Sequence, residues 1–164
     1  MAVCIIGIDP GLRRTGWGVI VSDGSRLIHV EHGVISSDPA LSMAERLLAL
    51  HTGLAAAIAR HQPAEAAIEE TLVSRDAAAS LKLGHARGAA LLAISGAGLA
   101  CGEYAPNRVK KSVVGRGHAD KKQIAAMVSM LLNISEPSPS DAADALAIAI
   151  THAHHRVVSS LVPS

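Results

Sequence analysis

Apolar residues follow three different rhythms along this chain. Val3-Cys4-Ile5-Ile6-Gly7-Ile8 is an unbroken apolar run, which predicts a strand buried on both faces and stopped by Asp9-Pro10-Gly11. Thr15 to Val21 and Leu27 to Ile35 predict two further strands, joined by a hairpin at Asp23-Gly24. The rhythm then changes. Met43, Leu47, Leu50, Leu54 and Ile58 recur in steps of three and four, which predicts a helix. Asp38-Pro39, or the Ser42-x-x-Glu45 capping box, opens that helix, and Gln62-Pro63 stops it. Glu65 to Glu70 predicts a short fourth strand. A long, mostly apolar helix is expected from Asp76 to Ile94, broken by Gly96 to Gly98. Glu103-Tyr104-Ala105 predicts a fifth short strand, followed by helices over Asn107–Val114, Lys121–Leu132 and Ser140–His154. Strands in hairpin order, then strands alternating with helices, point to an α/β protein with a mixed sheet flanked by helices. Repeats and linkers are absent from the pattern. One domain is expected over residues 1–155, with residues 156–164 as a disordered tail.

Composition sharpens this picture. The chain has 164 residues and is 49% hydrophobic, yet it contains no Phe, one Trp and one Tyr. Alanine and short aliphatic side chains must therefore fill the core, which favours close packing of helices on the sheet; Trp17 and Tyr104 are expected within it. Cys4 and Cys101 sit in apolar contexts and form no metal-ligating pair, so reduced thiols in a cytoplasmic protein are expected. The uncharged stretch from Gly88 to Gly102 is dotted with glycine and is shorter than the roughly 20 apolar residues of a membrane span. The N-terminus has no basic leader of the kind a signal peptide carries.

The carboxylates stand out against this apolar background. Asp9 ends the most buried strand and Glu69 ends the next candidate central strand. Asp141 and Asp144, three residues apart, share one face in the first turn of an otherwise almost wholly apolar helix. Singly, each has a bland explanation: a turn former at Asp9, an exposed strand end at Glu69, helix-dipole partners at Asp141 and Asp144. Together, each at the end of an element with an apolar body, they are hard to explain as caps. Like charges gathered in an apolar setting repel and resist ionisation, and a divalent cation resolves the conflict. Oxygen donors without thiolate or imidazole partners favour Mg²⁺ or Mn²⁺ over Zn²⁺. Glu70 is expected on the opposite face of its strand and is excluded from the set.

Several segments resemble one family in order and spacing. Gly7-Ile8-Asp9-Pro10-Gly11 with Thr15-Gly16-Trp17-Gly18, then Ile68-Glu69-Glu70, then Leu81 to Gly88, Val109 to Gly115, and Asp141 to Ala147 are similar to the RuvC nucleases, from Val3 to His155. The resemblance implies a ribonuclease-H-like fold with a five-stranded mixed sheet. It implies Mg²⁺-dependent nicking of four-way (Holliday) DNA junctions in recombination and repair, by a homodimer in the bacterial cytoplasm. Asp9, Glu69, Asp141 and Asp144 match the carboxylates that bind the catalytic metals, two ions per subunit. The RuvAB branch-migration complex is the implied partner.

Net charge is only +1, so any nucleic-acid contact must come from local clustering. Arg108, Lys110, Lys111, Arg116, Lys121 and Lys122 lie within one short segment that Asp120 alone opposes. That excess, in a chain nearly neutral as a whole, points to phosphate contact over a merely solvated face. By the resemblance, Lys110 and Lys121 match lysines near the cleaved strand. Arg75, Lys82 and Arg87 are candidates to extend the track, with an exposed helix face as the equal alternative. The chain departs from the family at Leu72, where an aromatic residue usually contacts unstacked bases; leucine can wedge between base steps but has no π-face. His118 is a weaker DNA candidate, and His152, His154 and His155 are expected at the surface or as helix caps.

Three other classes remain to be separated. Asp9-x-Gly with Thr15-Gly16 also resembles the first phosphate loop of actin-like and sugar-kinase ATPases, but those chains need two such domains and a second glycine-rich motif. A ribonuclease-H-like nuclease on RNA–DNA hybrids would keep the same carboxylates. A non-catalytic junction-binding protein would be expected to lose some of the four.

Overall fold

The computed structural model describes residues 1–161, with side chains through Arg156. Five strands form one mixed sheet: β1 (Val3–Asp9), β2 (Arg14–Asp23), β3 (Arg26–Ser36), β4 (Glu65–Glu69) and β5 (Ala100–Tyr104), in the spatial order β3-β2-β1-β4-β5. The pairs β1/β2 and β2/β3 are antiparallel, whereas β1/β4 and β4/β5 are parallel. The helices are α1 (Met43–His61), α2 (Ala77–Gly96), α3 (Pro106–Val114), α4 (Lys121–Leu132) and α5 (Ser140–Leu161).

The helix starts follow local chemistry. Ser42 and Glu45 form the expected capping box of α1, and Gln62 closes that helix in a left-handed conformation. Asp76 caps α2, and Asp120 with Gln123 forms a second capping box at α4. Two boundaries differ most from the sequence pattern. The fifth strand starts at Ala100 and ends at Tyr104, because Ala100-Cys101-Gly102 is small and lacks a β-branched signature, and its pairing with Glu65-Ala66-Ala67 of β4 makes it a strand. Helix α5 continues past His155 to Leu161, so the residues expected to leave the domain as a tail begin as helix; residues 162–164 lie outside the described part.

Period-two alternation divides the core between the two faces of the sheet. Ile5, Ile20 and Ala67 point to α3, α4 and α5, where Leu146, Ile148 and Ile150 are also fully buried. Ile6, Ile8, Val19, Ala66 and Ile68 point to α1 and α2, against Leu54, Ile58, Ala90 and Ile94. Each fully buried Ile or Leu contributes roughly 1.5–3 kcal/mol, so the rigidity of the β1–β4 centre rests mainly on these residues. Trp17 and Tyr104 are both in the core. His152 is more than a cap: its Nδ1 lies 2.8 Å from the Tyr104 hydroxyl and its Nε2 2.7 Å from Glu65, which also accepts from Arg156 Nε at 2.6 Å. This network ties the C-terminal half of α5 to the start of β4.

Candidate metal and nucleic-acid site

Strand register brings the first two carboxylates together. Ile8 and Ile68 are partners in the parallel β1/β4 pair, so the residues that follow them, Asp9 and Glu69, leave the same edge of the sheet on neighbouring strands. Both project to the α5 side, opposite to Ile8 and Ile68. Glu70 is exposed, and its backbone N–H donates to Tyr104 O at 2.9 Å. Helix α5 supplies the other two. Its first turn lies across β1 and β2 at a separation only glycine permits: a Cβ at Gly7 or Gly16 would collide with the Ala145 or Asp141 carbonyl. Ala142, Ala143 and Ala145 are buried beneath it, so Asp141 and Asp144 are carried to the sheet edge.

The electrostatics record this crowding. Burial, then the charges of Glu69, Asp144 and Asp141, push the Asp9 carboxyl up to about 8, with Lys121 opposing. Glu69 is also raised, first by burial and then by Asp144, although a hydrogen bond from Asp9 and the charges of Lys110 and Lys121 pull the other way. Asp144 is raised by burial, against Lys121, whose Nζ lies 3.7 Å from its Oδ2. Two unit charges about 4 Å apart interact by about 4 kcal/mol at an effective dielectric near 20. Asp9 therefore holds a proton near neutral pH unless a cation replaces it.

Asp9, Glu69 and Asp144 line one cavity of about 390 Å³ together with Lys110 of α3 and Lys121 at the start of α4. Pro106, Val109, Ala119, Ile124, Ala147 and Ile148 form its apolar wall. Asp141 is adjacent but turned aside. Arg14 Nε lies 3.2 Å from its Oδ2, close enough for an ion pair, yet that buried oxygen has no aligned hydrogen-bond donor. Among the described residues, no three His, Cys, Asp or Glu side chains are already closed around one point; the carboxylates face a shared space instead. Hard oxygen donors with raised pKa, and one orphaned buried carboxylate oxygen, suit a hard divalent cation.

The family model described as Crossover junction endodeoxyribonuclease RuvC matches residues 5–152, almost the whole folded chain. The chain belongs to the RuvC family. The RuvC of Rhodopseudomonas palustris strain TIE-1 is 62% identical over 152 residues, which cover 93% of this chain and 87% of that one. The RuvC of Bradyrhizobium diazoefficiens is 59% identical over 159 residues, covering 97% and 91%. Among solved structures, Thermus thermophilus RuvC in complex with Holliday junction substrate superposes with a TM-score of 0.89 at 34% identity, covering 96% of this chain and 97% of that one. The ribonuclease-H-like mixed sheet is therefore that of RuvC.

The remaining candidate residues divide into groups around this RuvC-type centre. Lys111 and Arg116 are exposed on and after α3. Lys122 lines a second cleft, of about 290 Å³, with Lys121, Glu136 and Ser140. Leu72 and Val73 are 63% and 88% exposed on the loop that follows β4, beside Arg75, so an apolar pair stands free next to Glu69. Lys82 is exposed on α2. Arg87 is engaged within the fold. Its Nε donates to the Glu69 carbonyl at 3.1 Å and its guanidinium pairs with Glu103, so it holds the end of β4 in place. Two roles escaped the sequence pattern: Arg87 as a brace for Glu69, and Arg14 as the partner of Asp141. Neither has a periodic signature, because both depend on contacts between distant segments.

Proposed function

We propose that this chain is a structure-selective endodeoxyribonuclease that resolves four-way DNA junctions by paired symmetric nicks in homologous recombination and repair. The observation that carries this reading is the shared cavity of Asp9, Glu69, Asp144, Lys110 and Lys121, in a chain similar from end to end to a RuvC described with a Holliday junction substrate. Asp9, Glu69, Asp141 and Asp144 would hold Mg²⁺, two ions per subunit with Mn²⁺ as a substitute, and such ions would supply activation of a water and stabilisation of the leaving 3′ oxygen of a phosphodiester. The protein's own contribution is to set the carboxylates on rigid strand and helix ends and to keep one wall of the site apolar. Lys110 and Lys121 place positive charge where the phosphate develops negative charge. Lys111, Lys122 and Arg116 hold flanking phosphates, with Arg75 and Lys82 farther out. Leu72 and Val73 wedge into the junction without stacking on a base.

The junction is two-fold symmetric, so two matched cuts call for two matched sites, which an isologous homodimer supplies. Leu81 and Leu92 are exposed on α2 and offer apolar surface for that interface. No helix among the described residues is long and apolar enough to cross a membrane; we place the enzyme in the bacterial cytoplasm, working beside the RuvAB branch-migration complex. The test is nicking with Mg²⁺ on a four-way junction, plain duplex and an RNA–DNA hybrid. Paired nicks confined to the junction support the reading. Preferred cleavage of the hybrid makes the chain a hybrid-directed nuclease, and junction binding without nicking makes it a binding protein.

A further inference from the structure

A second polar cleft opens on the Asp141 side of the carboxylates. It has a volume of about 530 Å³ and is lined by Arg13, Arg14, Ser36 and Ser37, where the turn after β1 meets the end of β3. Its frame is fixed from several directions. The Ser37 N–H donates to the Arg13 carbonyl at 3.0 Å, and the Ser37 hydroxyl donates to the Leu12 carbonyl. Arg46 of α1 donates from Nε to the same hydroxyl at 3.0 Å. The Thr15 hydroxyl donates to the Gly11 carbonyl at 2.8 Å and accepts from the Gly11 N–H at 3.2 Å. Ser37 is only 5% exposed and Thr15 is fully buried, so a short surface turn is held as firmly as a core element.

The charge in this rigid frame is largely uncompensated. Arg14 pairs with Asp141, but among the described residues neither Arg13 nor Arg46 has a carboxylate within ion-pair reach. Two guanidinium groups lining one open cleft, with Ser36 and Ser37 at its rim and Arg46 bound to the Ser37 hydroxyl behind them, match a phosphate, which guanidinium binds in a planar, bidentate fashion. Arg14 of this cleft reaches Asp141, which shares the first turn of α5 with Asp144 of the lysine-lined cavity, so the carboxylates have cations on two sides. We propose that the Arg13–Arg14–Ser37 cleft is a second phosphate-binding subsite, which seats a backbone phosphate of the DNA strand on the Asp141 side of the reaction centre. Arg14 is shared between that phosphate and Asp141, and therefore couples occupancy of the subsite to the position of a carboxylate. The subsite rests on the proposed DNA-cleaving function.

The test uses the full-length protein and a four-way junction in metal-free buffer, with binding measured across a salt titration. Arg13→Ala should weaken binding several-fold at low salt and reduce the magnitude of the log–log salt slope by roughly 0.9. Arg13 is exposed and, among the described residues, its side chain makes no hydrogen bond or ion pair, so thermal melting should be unchanged; Arg13→Gln checks the charge with the side-chain length nearly kept. Scanning single neutral methylphosphonates along the continuous strands should then find one phosphate whose neutralisation weakens wild-type binding but leaves Arg13→Ala unaffected. Wild-type slopes in both Arg13 variants, or no phosphate that loses its effect in Arg13→Ala, would overturn the subsite. Wild-type nicking of the same junction, assayed separately with Mg²⁺ added, keeps that outcome distinct: if the wild-type protein neither binds the junction nor nicks it with Mg²⁺, the underlying functional reading fails instead.

Discussion

Gly16 of β2 lies directly beneath the Asp141 carbonyl, so close that a Cβ there would stand well inside 3.0 Å of the oxygen. The first turn of α5 can rest on the sheet only because this position has no side chain. Gly16→Ala must therefore lift the helix end or distort β2, a form of overpacking that costs about 1–3 kcal/mol. The same displacement carries Asp141 and Asp144 away from Asp9, so the variant should lose nicking by more than its loss of stability explains. Denaturant melting beside single-turnover nicking, with the protein fully folded, checks both. Wild-type nicking in a destabilised Gly16→Ala protein would show that the helix end can move without consequence.

The elements themselves were legible from the sequence to within a few residues, because apolar alternation and helical periodicity are strong along most of the chain. Asp9 and Glu69 were legible as charges at the ends of apolar strands. Their meeting on one edge depended on the β1/β4 register, which one chain's pattern does not encode. Gly7, Gly16 and Gly18 carried an unread signal: small residues on one face of adjacent strands mark where a helix approaches. Ala100-Cys101-Gly102 hid the start of β5 because its strand character comes from pairing and not from propensity. Arg87 looked like one more exposed cation on a helix, and only the fold shows that its side chain is spent on Glu69 and Glu103.

That brace makes a prediction of its own. Arg87→Ala removes a charge-assisted hydrogen bond to the Glu69 carbonyl, worth roughly 1.5–3 kcal/mol before solvent screening is allowed for. Loosening Glu69 should slow nicking by about tenfold or more, since small misplacements of reacting groups are costly. Binding should keep its wild-type salt slope, because Arg87 touches protein and not phosphate. A reduced slope with an unchanged nicking rate would return Arg87 to the DNA track.

The raised Asp9 carboxyl gives stability a definite pH dependence. It titrates at about 8 in the fold against about 3.9 in the unfolded chain, so between those values the folded protein holds a proton that the unfolded chain has lost. The contribution is fully present below about pH 4 and is lost as pH rises through about 8. Metal-free protein should thus melt lower at about pH 9 than at about pH 6, and Asp9→Asn should flatten that difference. Mg²⁺ should raise the melting temperature more at the higher pH, where the carboxylates are ionised and ready to ligate. Thermal melts in chelator and in Mg²⁺ at the two pH values test this. An equal pH response in Asp9→Asn would show that Asp9 is not the group that titrates.

The lysines beside the carboxylates separate a reaction site from a merely basic surface. Lys121 Nζ lies 3.7 Å from Asp144 Oδ2, and Lys110 shares the cavity with Asp9, Glu69 and Asp144. Lys111 and Lys122 carry the same charge outside that cavity. A cation at the scissile phosphate stabilises charge that grows in the transition state, whereas a cation on a flanking phosphate acts equally on bound substrate and transition state. Lys110→Ala and Lys121→Ala should therefore slow single-turnover nicking more than they weaken binding. Lys111→Ala and Lys122→Ala should mainly weaken binding, each lowering the magnitude of the log–log salt slope by roughly 0.9. Lys82→Ala, farther away on α2, should affect binding if it affects anything. Lys121→Ala also removes the charge that opposes the repulsion on Asp9 and Asp144, so its nicking profile should shift to higher pH, a change that loss of a simple phosphate contact would not produce. Nicking under saturating enzyme across pH, beside salt-titrated binding, reads out all five variants. Equal losses in binding and nicking for Lys110→Ala and Lys121→Ala, with no pH shift, would place these lysines among the flanking phosphate contacts.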